Sequence, residues 1–429
     1  MAIKAGLQAL SHRQLFPYIC AGVLIVGCLV LALSCFRNRM RYREVAMADY
    51  YSWAAELRLG GKPWNPESSA ATRPLGIERR AGCNYPPPFL VAFEPLTLLP
   101  VKAAYWLWQT ILIGSLAAAV VLLVREIFAP TSKAPYLLAL GTTLLFPEGH
   151  SALYESEPTF LLLLLIVVAW ACDRRERPLI AALMLALAAA FKVFPAALLG
   201  YFFCRRSWRV VLYTGGFLVV IVLLSGLDNW VWFARFGVLK SQWVSEDAWL
   251  VKTSDRSIAV MAQARALLDW LNGGPLGARM ASVWVLVTAV VDFLLVGIAF
   301  ETCRGCARKG ADWGDLCFGV WVMVSILISP ISWAHYLIFT LPLGFGLLRA
   351  LLTDESVYGP PAAIFAGALA AIAVAHFSVP IRHLHVFFLG SIAIFLAGVL
   401  AARSERVGRS RNEIAGELRE PAIQSGRIC

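Results

Sequence analysis

Charge is the scarcest resource in this chain: Asp, Glu, Lys and Arg make up 15% of its 429 residues, against 59% hydrophobic. Soluble domains carry about 25% charged residues, so the deficit excludes an ordinary soluble globular protein. Other absences narrow the field. There is no G-x-x-x-x-G-K-[ST], hence no signal for nucleotide hydrolysis, no H-E-x-x-H, and no D-x-D pair of the kind that holds a metal and a nucleotide-sugar. No small-residue cleavage site follows the first apolar run at about 16–36, which therefore reads as an uncleaved span. A fixed-period repeat and a low-complexity linker are also missing. Cysteine is present but forms no disulfide framework. Cys20, Cys28, Cys35, Cys172, Cys204 and Cys317 lie in or beside apolar runs as small hydrophobes. Cys303 and Cys306 form one C-x-x-C without a second pair, and Cys83 stands in a polar loop.

What is present is a series of long apolar runs near 16–36, 103–124, 134–147, 158–172, 179–203, 210–227, 281–300, 316–333, 337–352, 361–379 and 385–402. A span needs about 20 apolar residues, which makes the chain an all-α polytopic membrane protein with about 10–12 membrane segments. The division is one membrane-embedded domain over 1–402 and a basic cytoplasmic tail over 403–429 that is expected to be disordered. Basic residues exceed acidic ones by eleven formal charges, but they gather in short connections between apolar runs. That is the positive-inside pattern, so the charge implies membrane lipids as neighbours and no nucleic acid.

Two of those basic connections, DRRERP (173–178) and CRRSWR (204–209), are separated by a single apolar run containing Lys192 and Pro195. One straight span would put the two on opposite sides of the membrane. Proline breaks a helix, so two half-helices meeting at FKVFP can return the chain to the same side. With this broken hairpin, the polar clusters share one outer face: the loop 37–102, the turn PEGHSALYESEP (147–158), the Lys192 tip, the loop 228–280 and the bend ISPISWAHY (328–336). One feature runs against the charge rule, because the basic run Arg37–Arg43 then falls on the outer side. Five prolines between 83 and 100 forbid one regular helix there and suggest a short re-entrant or interfacial segment beside a cavity.

Several residues on this face are candidates for chemistry. Asp49 stands where the N-cap of an amphipathic helix would be, and it serves either as that cap or as a general base. Tyr50, Tyr51, Trp53 and Trp64 either anchor at the bilayer interface or stack on sugar faces. Lys192, deep in an apolar run, either snorkels or pairs structurally, or it binds a phosphate. Asp255 can cap a following helix that presents Arg256 near its N-terminus, an arrangement that suits an anion. His335 is either a satisfied histidine at a helix break or a ligand for a phosphate oxygen or sugar hydroxyl.

The ordered set of motifs resembles the polytopic GT-C glycosyltransferases of family 87. The matching pieces are DYYSWAAELRLGGKPWNP, NYPPPFLVAF, EPLTLLP, TFLLLLLIVVAWACDRRERP, AAAFKVFPAALL, CRRSWR and SPISWAH, spread over roughly residues 45–350. The resemblance implies a GT-C-like bundle whose outer loops carry short helices. It implies an inverting hexosyltransferase, often a mannosyltransferase, using a polyprenyl-phosphate sugar and a lipid or glycan acceptor, with no cofactor and no metal. By position, Asp49 would be the catalytic carboxylate. Lys192, Arg256 and His335, with Glu157, would line the donor phosphate or sugar, and Tyr50, Tyr51 and Trp53 the sugar or acceptor. The setting it implies is a bacterial plasma membrane, with the site on the extracytoplasmic face. The sequence departs from the family pattern at Glu157, where glutamine is usual, at Asp255-Arg256-Ser257, where Asn-Gln-Ser is usual, and at Tyr336, where a second histidine often stands. A transporter or flippase is the alternative class, since broken helices and intramembrane charge also occur there. A glycan polymerase or ligase would share the donor chemistry.

Overall fold

The structure is a computed structural model that describes residues 15–38, 46–65, 83–239, 256–272, 281–304, 314–353, 355–378, 380 and 384–417. It is built from helices, and the described residues contain no strand beyond one isolated bridge between Ser257 and Trp333. Among the described residues six helices are long and apolar enough to cross a membrane: α1 (Leu15–Asn38), α4 (Val101–Phe128), α13 (Ala281–Arg304), α15 (Leu341–Thr353, with the preceding turn from Ala334), α16 (Glu355–Phe377) and α17 (Val386–Glu417). Two bent pairs add to them. These are α6 (Pro147–Glu155) with α7 (Thr159–Arg174), at 114°, and α10 (Trp208–Leu224) with α11 and the π-helical turn that follows it (Leu227–Gly237), at 97°. Shorter apolar helices are α5 (Ala134–Leu145), α8 (Pro178–Phe191), the segment Phe194–Cys204 containing α9 (Leu199–Cys204), and α14 (Gly314–Leu327). The short polar-side helices are α2 (Ala46–Arg58), α3 (Pro87–Phe93) and α12 (Val260–Leu271). The chain is therefore an all-α, multi-pass membrane protein. The tail expected to be unstructured from 403 continues α17 as helix as far as Glu417, and 418–429 lie outside the described residues.

The broken hairpin has the expected form. Helix α8 stops at Phe191, Lys192 takes an extended conformation (φ −153°, ψ 130°), and a 3₁₀ turn over Phe194–Leu198 leads into α9. Because Pro195 cannot donate a backbone hydrogen bond, the helix cannot run through. The two basic turns then meet on one side: Arg205 Nε lies 2.8 Å from Asp173 Oδ2, and Asp173, Glu176, Arg205 and Arg206 line one groove. One straight span could not bring them together. At this same end, Arg174 and Arg349 both pair with the buried Asp315, and Arg175 pairs with Glu126. The ends of α4, α7, α14 and α15 are thus tied by charge, while their other ends define the opposite pole. Ser34 near the end of α1 contacts His150 of α6 at that opposite pole. Of the basic run Arg37–Arg43, residues 39–43 lie outside the described residues.

Glycine allows the returning half of the hairpin to seat. At Gly200 a Cβ would stand 2.2 Å from the indole of Trp321 on α14. Gly200→Ala is expected to destabilise the bundle by about 1–3 kcal/mol through overpacking, read as a lowered thermal midpoint in detergent. An unchanged midpoint would show that α9 does not lie against Trp321.

Candidate functional site

Tyr85 is the centre of the polar pole, and its neighbours explain why. Pro86 is extended (φ −62°, ψ 153°) and α3 begins with proline, so the chain enters α3 along a fixed path. Trp64 Nε1 donates to the Tyr85 carbonyl at 2.9 Å, which secures the backbone. The ring packs against Tyr50 (4.9 Å between centroids) and Phe89 (4.6 Å). The Tyr85 hydroxyl donates to Glu157 Oε2 at 2.6 Å. With its single proton committed, its oxygen accepts from Lys192 Nζ at 3.1 Å and from the Tyr50 hydroxyl at 2.9 Å. Burial first, and then the Glu157 charge, push the Tyr85 phenol well above the usual tyrosine range, so it stays a donor across the working pH.

Lys192 reaches this hub because the helix breaks at its own position. Its ammonium lies 3.5 Å from Glu157 Oε2 and sits over the rings of Tyr85 and Tyr336, 4.8 and 4.6 Å from their centroids. Two aromatic faces and a carboxylate offset the cost of removing the cation from water. An ammonium has three N–H donors, and among the described residues two of them are occupied, by Tyr85 and Glu157. The pair is not sealed: the side chains remain 18% and 14% exposed. Glu157 is held in place by the bend between α6 and α7. Ser156 there has a left-handed backbone (φ 59°) and its carbonyl accepts from Trp108 Nε1 at 2.9 Å.

The third wall is the bend ISPISWAHY. The chain leaves α14 at Leu327, and the Ile258 amide donates to the Ser332 carbonyl at 2.8 Å, joining the segment before α12 to the bend. A 3₁₀ turn over Ala334–Thr340 then carries His335 and Tyr336. His335 is 6% exposed. Its Nε2, the Tyr336 hydroxyl and the Ser332 hydroxyl are buried without a hydrogen-bond partner among the described residues. Glu157 lies within electrostatic reach of both Lys192 and His335. Unpartnered polar groups are costly in a low-dielectric interior, which makes this bend the candidate for contact with a polar ligand.

The other predicted residues divide. Asp49 is 8% exposed and lies in the first turn of α2, inside the helix and not at its cap, because the helix already begins at Ala46. Its charge reaches the Tyr50 phenol, which ties it to the hub. Trp53 packs near Tyr50 and Tyr85, at 5.9 and 6.3 Å. Tyr51 faces elsewhere: its hydroxyl donates to the carbonyls of Thr97 (3.2 Å) and Leu99 (2.9 Å) and fastens α2 to the turn after α3. Arg256 is exposed and four residues before α12, which starts at Val260, so the expected helix N-terminus at Arg256 is not there. Residues 257–258 are instead used in pairing with 332–333, and Asp255 lies outside the described residues. Sequence reading missed Tyr85 and Tyr336 as site residues. The signal available for Tyr85 was a tyrosine fixed by three following prolines.

These features describe a multi-pass membrane protein with a partly buried cluster of Lys192, Glu157 and Tyr85 at one pole. The model of glycosyltransferase family 87 matches residues 84–330, more than half of the chain, and the chain belongs to that family. It is a membrane glycosyltransferase, which sets the transporter reading aside. Among curated proteins it is similar to a polyprenol-phosphate-mannose-dependent alpha-(1-2)-phosphatidylinositol mannoside mannosyltransferase of Mycolicibacterium smegmatis, 25% identical over 79% of this chain and 76% of that protein. The corresponding protein of Mycobacterium tuberculosis is 25% identical over 70% of each chain. A phosphatidylinositol pentamannoside mannosyltransferase of M. smegmatis is 26% identical over 63% of this chain and 62% of its own length.

Tyr85→Phe removes the one oxygen shared by Tyr50, Lys192 and Glu157. Losing hydrogen bonds to charged groups costs about 1.5–3 kcal/mol, or roughly a 10–100-fold fall in kcat/KM. Steady-state transfer assays in proteoliposomes read this directly, and a fall under twofold would remove Tyr85 from the working site.

Proposed function

We propose that this protein transfers a hexosyl group, namely a mannosyl group, from a polyprenyl-phosphate sugar to a lipid or glycan acceptor, with inversion at the anomeric carbon. The observation that carries the proposal is the open donor of Lys192 beside the unpartnered His335 Nε2 and Tyr336 hydroxyl. The similar mannosyltransferases, which their names describe as polyprenol-phosphate-mannose-dependent, support the donor class.

In this reading Asp49 accepts the proton of an acceptor hydroxyl. The oxygen attacks the anomeric carbon from the face opposite the phosphate, through an oxocarbenium-like transition state. As the new C–O bond forms, the bond from the anomeric carbon to the phosphate oxygen breaks, and the leaving polyprenyl phosphate takes the electron pair. Its charge increases at the oxygens nearest Lys192 and His335, which are already oriented and need little reorganisation. Exposed Arg256 adds charge from the rim, and Tyr50 and Trp53 offer aromatic faces for a sugar. Residues 1–402 act as one catalytic unit. The basic turns at Arg174–Arg177 and Arg205–Arg209 favour the cytoplasm by the positive-inside rule, which supports a site on the extracytoplasmic face of a bacterial plasma membrane.

Asp49→Asn is expected to abolish transfer from a polyprenyl-phosphate mannose while leaving expression and melting unchanged; wild-type turnover in that variant sinks the assignment of the base. His335→Ala is expected to lower kcat by about 10²-fold or more, as loss of an oxyanion-type donor does. The configuration of the product linkage, read by NMR against that of the donor, tests inversion, and retained configuration would refute it.

A further inference from the structure

The basic pole carries a groove that the transfer reaction does not use. It has a volume of about 540 Å³ and lies between the turn that joins α7 to α8 and the turn that joins α9 to α10. Both turns close in the same way. Glu176 (φ 55°) and Arg206 (φ 60°) are left-handed. The next amide in each turn bonds back across it, Arg177 to the Cys172 carbonyl at 2.8 Å and Ser207 to the Phe202 carbonyl at 2.9 Å. Each turn then enters a new helix at once, at Pro178 and at Trp208. Helices α8 and α10 pack side by side, with Thr214 Oγ1 donating to the Ala182 carbonyl at 3.4 Å.

The groove holds more positive charge than it neutralises. Arg205 is committed to Asp173 at 2.8 Å. Arg206 and Arg209 also line the groove, are exposed, and have no ion-pair partner among the described residues. Against these two cations the lining sets Glu176. Immediately beyond the arginines the surface of the same two helices is apolar: Leu179 is 57% and Leu212 71% exposed, and the indole of Trp208 is exposed beside them. A free anion would meet only the arginines. A phospholipid meets both parts, with its phosphate on the guanidinium groups and its acyl chains along the leucines. Coulomb attraction to a groove with surplus cations favours a headgroup with net negative charge over a zwitterionic one.

We propose that this groove binds the headgroup of an anionic phospholipid, with Arg206 and Arg209 on its phosphate and Glu176 accepting from headgroup hydroxyls. The lipid bridges the starts of α8 and α10 and so holds the broken hairpin from the pole opposite Lys192. The site is separate from the Lys192 cluster, and its failure leaves the proposed transfer chemistry standing.

The test is a titration of the full-length, delipidated protein in detergent with phosphatidylglycerol, phosphatidylethanolamine and phosphatidylcholine of identical acyl chains, read by native mass spectrometry. Wild type is expected to bind phosphatidylglycerol at least about tenfold more tightly than either zwitterionic lipid, at roughly fivefold per arginine. Arg206→Gln/Arg209→Gln should remove that preference. Arg209→Gln alone should cut it roughly fivefold, and serves if the double variant does not fold. Arg125→Gln/Arg304→Gln takes the same charge from exposed positions outside the groove, beside Glu126 and at the end of α13, and should leave the preference unchanged. Equal losses in the two double variants mean diffuse surface charge and overturn the groove as a site. No preference in wild type, or a preference for phosphatidylethanolamine, overturns the anionic assignment. Equimolar inorganic phosphate is expected not to displace phosphatidylglycerol; displacement would mark a free-anion site and overturn the lipid.

Discussion

A lysine ammonium held at depth in an apolar bundle must be compensated, and the polar pole of this protein is arranged around that requirement. Lys192 cannot stay in α8 as an ordinary helical residue. The break at FKVFP turns it out of the helix. Once there it needs partners, and they come from segments distant in sequence: Tyr85 from the proline-rich turn, Glu157 from the bend between α6 and α7, and Tyr336 from the bend after α14. Each is positioned by an interruption in a helix. In a membrane protein, irregular backbone is tolerated where it faces protein or a water-filled cavity. That these interruptions meet at a common cation is the reason they can persist.

The opposite pole makes this arrangement rigid. Asp315 receives Arg174 and Arg349, while Asp173 receives Arg205 and Glu126 receives Arg175. These pairs tie the ends of the same helices whose other ends carry Glu157, Lys192 and His335. Buried ion pairs contribute little net stability when complete, but breaking one is costly. Their effect here is registration: α7 cannot slide relative to α14 and α15 without separating Arg174 from Asp315. A displacement of an ångström at the basic pole would otherwise be carried along the helices to the hub, whose hydrogen bonds depend on separations of 2.6–3.1 Å.

Much of this could be read from the chain, and the limits have physical causes. The broken hairpin was legible because two basic turns, a lysine and a proline leave few ways to satisfy both charge and lipid. Lys192 and His335 stood out as polar groups in apolar surroundings, and Glu157 was named only through the family resemblance; the structure brings the three within electrostatic reach of one another. Tyr85 and Tyr336 did not stand out, since tyrosine is ordinary at a membrane interface and its hydroxyl partners are set by folding. Arg256 was misjudged because a helix start was inferred from a local Asp-Arg-Ser pattern. The backbone of 257–258 instead pairs with Ser332 and Trp333, a non-local choice that no local pattern reveals. Tyr51 has the same spacing as its neighbours, yet its hydroxyl goes to the carbonyls of Thr97 and Leu99. Asp49 was placed on the right helix but at its cap, because the turn of helix before it has no sequence signal of its own.

The hub is satisfied on one side and unsatisfied on the other, and that asymmetry gives the site a direction. On the Tyr85 side the Tyr85 hydroxyl uses its one donor and accepts twice. On the side of the bend, His335 Nε2 and the hydroxyls of Tyr336 and Ser332 have no partner among the described residues, and Lys192 keeps a donor in reserve. A ligand that completes the second side need not disturb the first. Binding energy is then spent on groups already ordered, which lowers the entropic cost of forming the complex. It also means that charge developing on a leaving group would meet dipoles fixed before the reaction begins, the condition under which electrostatic stabilisation is most effective. The bend ISPISWAHY supplies these waiting groups: Ser332 from its irregular stretch, and His335 and Tyr336 from the 3₁₀ turn that follows.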